Sequence, residues 1–163
     1  MTDPGSTFRP LVAVCGAGSG DTGLMDLARE TGRRLAQEGA ILICGGLGGV
    51  MNAAARGARE AGGLTVGILP GIAPQEANPF IDVPLATGLG HARNAVIARA
   101  AQAVIALPGG PGTLSEIALA LKMGRPVVAL GHWSEVAGVV PAASPGQAVA
   151  LALSRIRAAS MET

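Results

Sequence analysis

Short apolar runs alternate along this chain with longer amphipathic stretches, and the two repeat with different periods. Residues 11–15 (LVAVC), 40–44 (AILIC), 64–69 (LTVGIL) and 103–107 (AVIAL) are too short for helices and lean toward β-branched residues. They predict strands. Residues 126–130 (PVVAL) predict the last strand, and residues 81–84 a short one. Between them, residues 21–38 bring Leu24, Leu27, Ala28 and Leu35 to one helical face, with Asp21 placed to cap the start. An Ala-rich helix over residues 49–61 is closed by Gly62 and Gly63. Residues 91–101, 111–123 and 145–158 predict three more helices, and the proline-marked residues 70–80 a loop.

Strands that alternate with helices over short links must run parallel, with the helices as crossovers. The strands are nearly all apolar, so both of their faces are buried. The expectation is an α/β chain of about five to seven strands: one Rossmann-like domain over residues 10–163, helices on both faces of a parallel sheet, preceded by a loose tail over residues 1–9. Residues 94–103 (NAVIARAAQA) are apolar almost all round, interrupted mainly by Arg99 and Gln102. A helix of that kind needs a second covering surface, and a homodimer or higher homo-oligomer supplies it most simply.

Composition narrows the partners. With 163 residues and 49% of them apolar, the chain has the material for one buried core. Charged residues are 14% and the formal net charge is +1, which leaves no electrostatic footprint for nucleic acid. The aromatic residues are Phe8, Phe80 and Trp133, too few for a base-stacking platform. No run approaches the ~18 apolar residues of a membrane span. Cys15 and Cys44 lie in separate apolar runs and read as reduced, buried thiols of a cytoplasmic protein. No cluster with metal-ligand spacing is present, so neither a metal nor a resident cofactor is expected.

In open parallel sheets ligands bind beyond the carboxyl ends of the strands, and three of those ends are glycine-rich. The first, GAGSGDTG, offers Gly16, Gly18 and Ser19 and contains a G-x-G-x-x-G. A dinucleotide site would also want an acid after the second strand, where Cys44, Gly45 and Gly46 stand instead. A tight turn that binds nothing is the plainer alternative. The second, GGLGGVM, offers Gly45, Gly46 and Gly48 to a ligand. The third, PGGPGTLSE, runs from a strand into a helix, and Gly109, Gly110, Gly112 and Thr113 aim backbone N–H groups and a hydroxyl at an anion. Glu116 follows, either as a charge capping that helix or as a carboxylate beside a bound sugar. Arg93 starts a helix, where a cation is unfavourable, so it needs a partner: a phosphate, or Glu116 itself. His91 reads as a local hydrogen-bonder more readily than as a catalyst, and His132 and Trp133 read as structural. There is no G-K-[ST] phosphate loop. The single lysine, Lys122, falls toward the far end of its helix, which excludes a pyridoxal-phosphate Schiff base at this site.

Residues 108–116 fit the P-G-G-x-G-T-x-x-E signature of the Lonely Guy (LOG) family at every fixed position. Residues 45–51 resemble that family's other glycine-rich strand end. His91 and Arg93 match the H-x-R of its M-H-x-R-K-x-x-M helix, while Asn94 stands in place of the lysine and Gly90 and Ile97 in place of the methionines. The resemblance implies a phosphoribohydrolase that splits a nucleoside 5′-monophosphate into base and ribose 5-phosphate. It implies that Arg93 and Glu116 are the catalytic pair and that Gly110, Gly112 and Thr113 hold the phosphate. The GHARN and TLSEIALALK segments are closer to a short bacterial branch that also resembles molybdenum cofactor carrier proteins. That likeness implies the alternative: a non-catalytic binder of a nucleotide or a phosphate-bearing pterin.

Overall fold

The computed structural model describes residues 8–162; residues 1–7 of the expected tail lie outside them. Seven strands form one sheet in the order β4-β3-β2-β1-β5-β6-β7, and every neighbouring pair is parallel. The strands are β1 (Leu11–Cys15), β2 (Ile41–Cys44), β3 (Thr65–Leu69), β4 (Val83–Ala86), β5 (Ala103–Ala106), β6 (Val127–Leu130) and β7 (Val140–Ala142). The helices are α1 (Thr22–Gln37), α2 (Val50–Glu60), α3 (Arg93–Ala100), α4 (Pro111–Lys122) and α5 (Pro145–Met161).

Side chains alternate across a strand, and here the alternation sorts one sheet into two cores. Val12, Val14, Leu42, Cys44, Ile105 and Val128 point to the face covered by α1, α2 and α5. Ala13, Cys15, Ile43, Val104, Ala106 and Val127 point to the face covered by α3 and α4. Cys15 and Cys44 therefore lie on opposite faces, both free and buried. Asp21 caps α1, its carboxylate accepting from the Leu24 N–H at 2.8 Å.

α1 and α2 cross in backbone contact. A methyl group on Gly32 would sit 1.9 Å from the Ala54 carbonyl oxygen, and one on Gly57 would sit 1.9 Å from that of Arg29. Alanine in a helix is ordinarily worth about 1 kcal/mol over glycine. Here the clash is with backbone and reverses the sign: Gly32→Ala is expected to lose about 2–3 kcal/mol, read as a lower urea midpoint.

Four expectations are corrected. β6 is not the last strand: β7 follows, three residues long with Pro141 in its middle, too short and too proline-marked to stand out. The short strand begins at Val83 rather than Ile81, because the Asp82 carboxylate accepts from the Thr65 N–H at 3.0 Å and its hydroxyl at 3.1 Å, and pairing starts after it. Residues 91–101 are not one helix: a 3₁₀ turn over Gly90–Ala92 precedes α3, and Gly90 sits at φ +58°. Nor is the apolar stretch of residues 94–103 all helix, since α3 stops at Ala100 and Ala103 opens β5. The sheet's two edges, β4 and β7, each carry a proline, which removes an N–H that another strand would pair with.

Candidate functional site

β1 is flanked by β2 on one side and β5 on the other, so the chain's winding reverses there. At such a switch point the loops beyond the strand ends part and leave a crevice. The loop after β1 is stitched to its neighbours on both sides: Ala17 N–H donates to the Pro108 carbonyl at 2.9 Å, and Val50 N–H donates to the Ala17 carbonyl at 2.9 Å. A cavity of about 300 Å³ opens between the loop after β1, the start of α3 and the start of α4.

Gly16, Gly18, Arg93, Gly110, Gly112, Thr113 and Glu116 all line this cavity, together with His91. Its wall also includes Ala17, Met51, Asn94 and Pro111, which the motif reading did not select. Ser19, Gly45, Gly46, Gly48 and Gly109 fall outside the lining. Ser19 is exposed in the first loop. Gly109 lies against that loop, where an added methyl would come within 2.8 Å of the Ala17 nitrogen. In the second glycine-rich end, Gly49, at φ +64°, packs on the first loop, where a methyl would sit 2.3 Å from the Ala17 carbonyl oxygen, and Gly45 packs on the Arg93 guanidinium. From that segment only Met51 reaches the cavity wall.

Three glycines of the lining have no such reason. Among the described residues, a methyl at Gly18, Gly110 or Gly112 meets nothing within 4 Å, and none of the three has a positive φ. Neither turn geometry nor packing demands glycine there, so what it keeps open is space in the cavity. Gly110 and Pro111 begin α4, whose first N–H groups have no partner within the helix and carry its positive dipole end. No side chain among the described residues caps this N-terminus, and its first residues line the cavity.

Glu116 lies in the second turn of α4, and α4 has no acid in its first turn. The helix-capping reading of Glu116 is thereby overturned: its carboxyl is too far along the helix to reach the first N–H groups. The side chain turns instead into the cavity, and the residue is 8% exposed. Burial pushes its pKa up to about 7, against the opposing pull of Arg93 and a hydrogen bond with the Cys15 thiol. Cys15 ends β1 directly beneath the site; burial and the neighbouring Glu116 raise its pKa well above 9.0, so the thiol stays protonated. Its role was not visible in the motifs, although its position as the last residue before Gly16 was.

Arg93 faces the same cavity as Glu116, and each shifts the other's pKa. Burial lowers that of Arg93 and Glu116 opposes the lowering. No ion pair joins the two among the described residues. Arg93 Nη1 donates to Asn94 Oδ1, Nη2 reaches the Gly45 carbonyl at 3.4 Å, and the buried Nε finds no partner among the described residues. A buried donor of this kind costs stability unless something accepts from it. Lys122 closes α4 at the end away from the cavity and is exposed.

The chain as a whole has relatives among known proteins. The rice cytokinin riboside 5′-monophosphate phosphoribohydrolase LOG is 36% identical over 117 residues, which are 69% of this chain and 48% of that one. The chain thus spans about half the length of the rice enzyme. The Mycobacterium tuberculosis cytokinin riboside 5′-monophosphate phosphoribohydrolase is 34% identical over 139 residues, 78% of this chain and 74% of that one. Among solved structures, the molybdenum cofactor binding protein of Rippkaea orientalis superposes with a TM-score of 0.87 at 37% identity, covering 93% of this chain and 99% of that one. Residues 9–155 match the SLOG cluster4 family, and the chain is a member of that LOG-like family.

Proposed function

We propose that the protein binds a nucleoside 5′-monophosphate and hydrolyses its N-glycosidic bond. The observation that carries this is the pairing of Arg93 with a buried Glu116 across a cavity whose floor is an uncapped helix N-terminus. The phosphate sits at the start of α4, against the backbone N–H groups around Gly112 and Thr113. The ribose then lies toward Glu116. As the C1′–N bond breaks, its electron pair leaves with the base, which takes up a proton. Positive charge builds on the ribose, as in glycoside hydrolysis, and the Glu116 carboxylate stabilises it. Water adds to C1′ and gives up a proton, leaving ribose 5-phosphate. Arg93 holds the phosphate or the departing base from the opposite wall. The experiment is incubation with a panel of nucleoside 5′-monophosphates, AMP included, and chromatography for free base. Release of base supports the reading; its absence across the panel removes it.

A second reading is favoured by one observation: the chain covers nearly all of the Rippkaea orientalis molybdenum cofactor binding protein but half of the rice enzyme. On that reading the same cradle holds a phosphate-bearing pterin without turning it over. A fluorescent pterin released by oxidation of freshly purified protein supports the carrier.

Both readings use the open glycines. Gly112→Ala is expected to leave the thermal midpoint unchanged or slightly higher, since the methyl meets no atom of the described residues within 4 Å and alanine suits a helix. Its affinity for AMP is expected to fall by about tenfold or more, because the methyl occupies the space of the phosphate and blocks hydrogen bonds to it. Calorimetry measures both.

We also propose that two copies associate. Leu89 is 51% exposed, Leu114 43% and Val96 37%, on the turn before α3, the start of α4 and α3 itself. Burying such side chains against a second copy is favourable by about 25 cal/mol per Å². Light scattering at micromolar concentration is expected to return twice the monomer mass; a monomer mass removes the proposal.

A further inference from the structure

Asn94 joins the two halves of the site in a way the reaction above does not use. It is the second residue of α3 and only 5% exposed. Its Oδ1 accepts from Arg93 Nη1. Its Nδ2 donates to Ser115 Oγ at 2.8 Å, and the Ser115 hydroxyl donates onward to the Gly112 carbonyl at 2.8 Å. Every proton in the chain points away from the guanidinium, so each bond polarises the next. The chain starts at the cation on α3 and ends in the first turn of α4, which lines the cavity.

Arg93 has little else to hold it. The Gly45 carbonyl is 3.4 Å away, and Nε has no partner among the described residues. A long side chain with this much rotamer freedom stays in one orientation only if fixed acceptors keep it there. We propose that Asn94 is a positioning residue, which keeps the Arg93 guanidinium in register with the start of α4. An amide suits the task because it accepts on one side and donates on the other. Alanine makes neither bond and releases both partners. The effect on ligand affinity rests on the functional reading above; the orientation of Arg93 does not.

Arginine labelled with ¹⁵N separates the two. A guanidinium held by fixed acceptors gives resolved, exchange-protected Nη–H signals, and a free one averages them. Wild-type protein is expected to give resolved Arg93 signals, identified by their loss in Arg93→Ala. Asn94→Ala is expected to average them and Ser115→Ala to broaden them. With AMP as the probe, calorimetry is expected to find Asn94→Ala about tenfold weaker, and within about twofold of its parent when Arg93 is already alanine. Ser115→Ala carries the test if Asn94→Ala fails to fold. Resolved Arg93 signals in every foldable variant overturn the proposal, as do effects of Asn94→Ala and Arg93→Ala on AMP binding that multiply independently. If AMP does not bind wild-type protein, the nucleotide reading fails and the Arg93 signals still decide this one.

Discussion

In Glu116→Gln, release of base from AMP is expected to fall by on the order of 10³-fold or more, while the nucleotide still binds. The amide keeps the shape and hydrogen-bonding reach of the side chain but carries no charge to set against the developing cation. A carboxyl with a pKa of about 7 also dictates the pH profile. On the proposed mechanism turnover needs the ionised form, so kcat/KM is expected to rise with pH up to about 7 and level off above it. A rate that survives in Glu116→Gln, or a profile falling through the same range, removes the assigned role.

The same substitution is expected to have an opposite effect on stability. The Glu116 carboxyl titrates at about 7 in the folded chain, against an ordinary value of 4.5. Between those two values the folded chain holds a proton that the unfolded chain has lost. Stability is therefore lost as pH rises through that window, by on the order of 3 kcal/mol. Glutamine never ionises and escapes the loss. Glu116→Gln is expected to be more stable than wild type at pH 8 by about that amount, with little difference at pH 4. Urea unfolding at the two pH values measures it. A protein that gains stability while losing turnover carries its active carboxylate at the expense of the fold.

Arg93→Ala is expected to weaken AMP binding by about 100-fold, the loss of charge-assisted hydrogen bonds to a phosphate or base. It also reaches Glu116. Arg93 holds the Glu116 pKa down against burial, so its removal is expected to move the pH midpoint above 7. Arg93→Lys returns a positive charge without the fork of donors, and is expected to restore much of the midpoint and little of the affinity. A midpoint that stays in place in Arg93→Ala shows that the Arg93 charge does not set the Glu116 pKa.

The sequence by itself determined the parallel α/β plan, because a short apolar run between two helical segments has no other way to bury its backbone. It determined that a helix opens straight after Pro-Gly-Gly at the end of β5, since strand, Pro-Gly-Gly and helix are contiguous and the geometry is local. Asp21 as a helix cap and the placing of Lys122 at the far end of α4 were legible for the same reason. Other features depended on which strands become neighbours. The order that sets β1 beside β5 brings Gly16 to Gly110 and Arg93 to Glu116. The pairing of β1 with β2 sets Gly49 against Ala17, and the pairing of β1 with β5 makes Glu116 a buried acid beside Cys15 rather than a helix cap. The same arrangement made Asn94 the bridge between α3 and α4. Local propensity reaches a few residues along the chain, whereas burial and hydrogen-bond partners come from segments far apart in sequence. The elements were therefore readable one by one, and the environment that gives each side chain its chemistry arose only when they packed together.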